Sequence, residues 1–214
     1  MSWLPLCNAF GAMFFIFGVF LWVLWSLFFF VFFSGILLLY LIKESMLSFV
    51  HYSSGFCLFI VSEVVAFGTL LFMCLCSEES GVFSISSFSE LPLLGCFILG
   101  GSSVTATAYH HNLGSFSSRY FLLFTIFLGC CFIGLQLVEF YDCGCDLSFC
   151  VYQASCFCTV GLHFLHVLGG VLALFVLFLI GEDFISGSTL DFIVWYWHFV
   201  DYVWLLVYLV VYVS

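Results

Sequence analysis

The chain has 214 residues, 65% of them hydrophobic and 7% charged, with a mean hydropathy of +1.32. That composition excludes a water-soluble globular domain, which needs more polar surface to wet. The net charge of -10, two basic residues against twelve acids, leaves no footprint for nucleic acid and no polybasic patch for an anionic membrane surface.

Lipid is the solvent such a chain expects. At about 20 residues per crossing, its length suits an all-α bundle of seven transmembrane helices with short loops. Residues 3–42 form one uncharged apolar run. As a single helix at about 1.5 Å per residue it would be twice as long as a bilayer is thick. Two crossings with a turn near Trp25 and Ser26 are therefore expected, closed by Lys43, Glu44 and Ser45. This places a hairpin at 1–42, a loop at 43–54 and five further helices at 55–214, all in one membrane domain. No basic signal peptide or Arg-rich transit sequence opens the chain, which suggests synthesis in the compartment where it inserts.

The third segment spans about 55–76 and leads into a serine-rich loop with Glu78 and Glu79. The fourth, about 91–109, holds Gly100-Gly101 and a Ser/Thr-rich stretch, small residues that let helices approach closely in lipid. The fifth spans about 120–141 and turns at Asp142 and Asp146. The sixth, about 149–180, is long enough to tilt or protrude. An acidic loop at 181–191 precedes the seventh, about 192–213. With seven crossings Lys43 and Arg119 share a side, and the positive-inside rule makes it the inner one. The N-terminus is then inside and the C-terminus outside.

Of twelve cysteines, Cys57, Cys74, Cys96, Cys130 and Cys131 lie in apolar runs, where cysteine packs as a small hydrophobe. Cys143, Cys145 and Cys150 cluster around a turn but form no CxxC pair, so neither a metal site nor a redox motif is read there.

Ionisable groups at membrane depth each need a reason, because one costs about 2.5–3.5 kcal/mol on insertion scales. Glu63 stands in GFCLFIVSEVVAFG with no polar residue three or four positions away and only Ser62 beside it. Gln136 and Glu139, His163 and His166, and His198 and Asp201 are pairs spaced by three, each on one helix face. His110-His111 closes the fourth segment. The pairs read first as interhelical hydrogen-bond partners, with a direct contact between His198 and Asp201 satisfying both groups. Haem ligation is the sharper alternative, but His163 and His166 share one face of one helix, and no Glu-x-x-His repeat of a di-metal bundle occurs. Glu63 has two open readings: a neutral hydrogen-bond donor to another helix, or a proton-handling or lipid-facing group.

Seven stretches, in order, resemble one family. They are LIKES (41–45), FIVSEV (59–64), ELPLL (90–94), YHHNL (109–113), LQLVEFY (135–141), VGLHFLHVLGG (160–170) and YWHFVDYVWLLVY (196–208). Together they are similar to subunit III of cytochrome c oxidase over about the last four-fifths of the chain. The resemblance implies seven helices, two plus five, around a groove that holds phospholipid such as cardiolipin. It implies a multi-pass place in the mitochondrial inner membrane, packed mainly on subunit I, with subunit II and accessory subunits nearby. It also implies no haem or copper on this chain, haem a and copper belonging to the partner subunits of a proton-pumping enzyme that passes electrons from cytochrome c to O2. Glu63 becomes the family's embedded carboxylate, and Lys43, Glu44 and His51 become lipid-headgroup candidates. Gln136, Glu139, His163, His166, His198 and Asp201 become structural. Where the family carries a basic residue after the sixth helix, Gly181 and Glu182 stand here. The 32 Phe and 12 Cys suggest a divergent, mitochondrially encoded member. A self-standing b-type cytochrome with His ligands remains the alternative, and a transporter with Glu63 as proton site a third.

Overall fold

A computed structural model of the chain describes residues 3–47, 53–77, 86, 89–143, 150–182 and 185–213, leaving aside the side chains at 4, 41, 42 and 44–47. His51, Glu78, Glu79, Cys145, Asp146 and Asp183, and the side chain of Glu44, lie outside what is described.

The described residues form α1 (Leu4–Phe20), α2 (Leu24–Leu47), α3 (Ser53–Ser77), α4 (Leu91–His111), α5 (Ser118–Asp142), α6 (Val151–Ile180) and α7 (Gly187–Val207), which runs on as a π-helix over Tyr208–Val213. No strand occurs among them. Helices are the expected outcome, since in lipid a backbone must satisfy its own N–H and C=O groups. Starts and stops follow local chemistry. Pro sits in the first turn of α1 and of α4, where its missing N–H costs nothing. The Cys150 thiol accepts from Gln153 N at 3.4 Å to open α6, and the Ser186 hydroxyl accepts from Thr189 N at 3.4 Å to open α7. That serine cap starts α7 five residues before the position expected from hydrophobicity, so Asp191 is helical rather than in a loop. Gly181, at φ 85°, ends α6.

The chain is an all-α membrane bundle. Among the described residues five helices are long and apolar enough to cross a membrane: Ser53–Ser77, Leu91–His111, Ser118–Asp142, Val151–Ile180 and Gly187–Val213. The first two carry shorter apolar stretches, Pro5–Phe20 and Leu24–Tyr40. At 17 residues α1 is about 25 Å long, short of a hydrocarbon core of about 30 Å.

The chain divides into two compact units, Met1–His51 and Tyr52–Ser214. In the first, α1 packs on α2. Its turn falls at residues 21–23, earlier than the expected Trp25–Ser26, with Trp22 at φ 54°, an outlier for so bulky a residue. Ser26 is instead helical, and its hydroxyl donates to Phe14 O at 2.8 Å across the hairpin. Beyond the turn, α2 runs through Lys43 to Leu47, where a loop was expected.

In the second unit α6 packs against α3, α5 and α7, and α4 packs against α5 and α7. Large apolar side chains such as Leu58, Val104 and Leu165 point outward, as a lipid-facing surface allows. At the centre Trp197 is fully buried. Its ring occupies the space that a Cβ on Gly129 of α5 or Gly170 of α6 would need, both at 2.8 Å. Glycine there lets the helices close around the indole, the kind of packing that drives association in lipid.

Candidate functional site: polar groups at membrane depth

Glu63 on α3 is not alone. Its Oε2 lies 2.9 Å from His166 Nε2 on α6, with both side chains largely buried. No polar residue stands three or four positions from it on its own helix; the partner lies 103 residues away. Ser62, beside it, turns back to donate to Phe59 O at 2.7 Å. His166 Nδ1 faces Leu162 O at 2.8 Å. A carbonyl can only accept, so Nδ1 carries a hydrogen. The 2.9 Å bond on the other side of the ring therefore holds one proton, either on the carboxyl or on Nε2. Either way the pair is electrically neutral as a whole, which limits its cost at membrane depth. The Tyr196 hydroxyl donates to His166 O at 3.2 Å, and the Phe67 ring stands edge-on to the imidazole at 5.2 Å.

His163, one turn away on α6, does something different. It is fully buried. Its Nε2 donates to Val200 O on α7 at 3.2 Å, while Nδ1 has no partner. Phe132 and Trp204 enclose the ring, at 5.6 and 4.9 Å between centroids. His163 and His166 thus serve two separate sites. For haem ligation, both nitrogens of His166 are engaged and the bare nitrogen of His163 is walled in by aromatic rings, so the residues do not fit an axial pair. Among the described residues no group of three or more His, Cys, Asp or Glu is placed to hold a metal ion.

His198 and Asp201 do not pair with each other. The spacing of three puts them on one face of α7, but each turns to α4 instead. His198 Nδ1 lies 2.9 Å from the Ser103 hydroxyl and Nε2 lies 3.4 Å from that of Thr107. Asp201 Oδ1 lies 3.5 Å from the Ser102 hydroxyl, which also receives the Trp197 indole N–H at 3.1 Å. Toward the end of the same helix pair, His110 Nε2 bonds Asp191 Oδ1 at 2.8 Å, partly exposed. Ser102 and Ser103 were read only as small packing residues; a Ser-Ser step facing a His-x-x-Asp was the available signal.

Gln136 and Glu139 do meet: the amide donates to Glu139 Oε2 at 2.6 Å, and Ser86 donates to Oε1 at 2.6 Å. Nothing in the spacing of the cysteines marks Cys74 and Cys156, whose thiols lie 3.8 Å apart between α3 and α6, beside Thr159. At the end of α6, Glu182 accepts from the Ser118 hydroxyl at 3.1 and 3.2 Å and from Gly114 N at 3.3 Å. Its carboxylate therefore sits over the first turn of α5, where a negative charge is favoured. Lys43 is exposed.

The family model described as "Cytochrome c oxidase subunit III" matches residues 38–214. Similar curated proteins carry the name cytochrome c oxidase subunit 3. That of Loxodonta africana is 38% identical over 139 residues, which cover 62% of this chain and 53% of that protein. That of Patiria pectinifera is 36% identical over 174 residues, covering 72% and 66%. That of Drosophila melanogaster is 33% identical over 177 residues, covering 74% and 67%. The chain thus spans about half the length of the first of these relatives.

Proposed function

We propose that this chain, which belongs to the cytochrome c oxidase subunit III family, serves as a non-redox membrane subunit of an oxidase that passes electrons from cytochrome c to O2. In this reading it lies in the mitochondrial inner membrane, N-terminus on the matrix side, and packs chiefly on subunit I, with subunit II and accessory subunits nearby. Haem a and copper reside in those partners and carry the electron chemistry. This chain supports assembly, binds phospholipid such as cardiolipin, and sustains proton uptake during turnover. Lys43, Glu44 and His51 are its candidates for headgroup contact.

The single observation that carries the proton role is the bond between Glu63 and His166. It links α3 to α6 with one proton shared between two titratable groups. The carboxyl and the imidazole can exchange that proton without changing the net charge of the pair. A proton arriving from or leaving to a third group changes that charge, and burial makes such a step costly. The pair is therefore suited to hold a proton in place rather than to conduct continuously. It ties two helices together through an exchangeable bond.

The test is a native gel of solubilised inner membranes stained for haem, with peptide identification of the stained band. Peptides of this chain in the haem a-containing band are expected. Their consistent absence from every oxidase band overturns the reading.

A further inference from the structure

Between α4 and α7 lies a cleft of about 170 Å³, lined by Leu99, Ser103, Val104, Asp201, Trp204 and Leu205 among others. Two polar atoms of its lining residues, Asp201 Oδ2 and Trp204 Nε1, have no well-formed hydrogen bond in the chain, with the Ser103 hydroxyl and the Cys96 thiol their nearby weak contacts. Both residues are deeply buried, at 6% and 1% exposure. One orphan is a carboxyl oxygen and the other an obligate donor, so a single apolar or purely cationic occupant would leave one of them unsatisfied. Asp201 Oδ1 fares little better. The Ser102 hydroxyl, 3.5 Å away, donates at 2.7 Å to Leu99 O, and it has one hydrogen to give.

The neighbouring hydroxyls fix the rest of the pattern. Thr107 Oγ1 donates to Ser103 O at 2.9 Å, so across its 3.4 Å contact with His198 it accepts from Nε2–H. In the neutral ring Nδ1 is then bare, and it accepts the Ser103 hydroxyl hydrogen at 2.9 Å. The Ser103 oxygen keeps lone pairs to accept with. A water in the cleft can take the Trp204 indole hydrogen and give its own two hydrogens to Asp201 Oδ2 and Ser103 Oγ. Three partners are what a buried water typically finds.

We propose that the α4–α7 cleft is a hydrated proton-exchange site, in which bound water joins Asp201 to His198 through Ser103, with the partly exposed His110–Asp191 pair farther along the same two helices. The site is distinct from the Glu63–His166 bond, which joins α3 to α6, and does not depend on it. A proton moves along it by hydrogen-bond exchange. When Asp201 is protonated at Oδ2, the carboxyl gives that proton to the water as the water gives one to the Ser103 oxygen and Ser103 gives its own to His198 Nδ1, leaving a carboxylate and an imidazolium; the reverse shift restores the start, and no other reactant is needed. The groups facing the path are Ser102, Ser103, Thr107 and His110 from α4, and Asp191, His198, Asp201 and Tyr202 from α7. Cys96 lies on the cleft wall, and His163 reaches α7 from α6 at Val200.

Two measurements on the intact membrane assembly that contains this chain test the site. A cryo-electron microscopy map that shows ordered water is expected to place compact density within hydrogen-bond distance of both Asp201 Oδ2 and Trp204 Nε1. A lipid chain, a neighbouring subunit's side chain, or a closed cleft in that place overturns the proposal. Infrared spectra across a pH series are expected to contain a carboxyl band that Asp201→Asn removes and that shifts promptly in D2O. In Ser103→Ala the shift is expected to be slower. A band that does not move after prolonged D2O exchange, or no Asp201-dependent band at any pH, overturns it as well. The map needs no variant, so a failure of Asp201→Asn to assemble leaves the first measurement standing.

Discussion

Glu63 Oε2 and His166 Nε2 meet at 2.9 Å across α3 and α6, with the imidazole anchored from behind by its Nδ1–H to Leu162 O. The anchor fixes which ring nitrogen faces the carboxyl, so the bond's chemistry depends on what stands at position 63.

An amide there can still donate to a bare Nε2, so Glu63→Gln is expected to assemble normally and unfold near the wild-type temperature. It loses the exchangeable proton, so the lifetime of the enzyme during turnover is the property that should shorten. Glu63→Leu leaves the imidazole without its partner, a cost of about 1–3 kcal/mol. Thermal stability of the purified assembly and its activity decay under continuous turnover separate the two variants. Identical decay in wild type and Glu63→Gln removes the proton role and leaves a packing role.

Gly170→Ala and Gly129→Ala drive a methyl group into Trp197, with Val171 also 2.6 Å from the Cβ position at 129. Overpacking of this kind costs about 1–3 kcal/mol. Gly134→Ala is the control on the same helix as Gly129, since a Cβ there meets nothing within 4 Å. It should be neutral or gain up to about 1 kcal/mol in helix propensity. Melting temperatures of the three variants check the order; equal losses in all three would mean that Trp197 is not wedged between these helices.

The His110–Asp191 pair is short but more than a third exposed on both sides. An exposed ion pair is worth about 0–1 kcal/mol and is screened by salt. His110→Ala is therefore expected to change stability far less than Glu63→Leu, by about 1 kcal/mol at most. A loss as large as that of the buried pair, unchanged at high salt, would contradict a surface contact.

Composition and hydrophobic run lengths were enough to read seven helices, because the demand that a backbone satisfy itself in lipid leaves few alternatives. The polar positions stood out for the same reason. Their partners did not. A spacing of three names neighbours on one helix; Gln136 and Glu139, read as partners to other helices, bond each other. The same rule suggested that His198 and Asp201 satisfy each other, whereas His198 bonds Ser103 of α4 and Asp201 only faces Ser102 there. It left Glu63 without a mate because His166 lies in another helix, and the register between helices depends on packing such as the seating of Trp197 between two glycines. The first hairpin turn was misplaced by a few residues because Ser26, which looks like a turn residue, is held in α2 by its bond to Phe14 O.

His163 offers the sharpest test of whether any histidine here binds haem. Its Nε2 is committed to Val200 O, and its ring is sandwiched against Phe132 and Trp204. His163→Phe keeps an aromatic ring in that space and removes one hydrogen bond, worth about 0.5–1.5 kcal/mol. The expected result is a slightly less stable assembly whose Soret band, haem content and redox titration match the wild type. His166→Phe is expected to leave the spectrum unchanged as well, while it loses the tie to Glu63. A Soret band that disappears in either variant, with the remaining subunits still assembled, would make this chain a haem carrier and would overturn the division of labour in which electrons never pass through it.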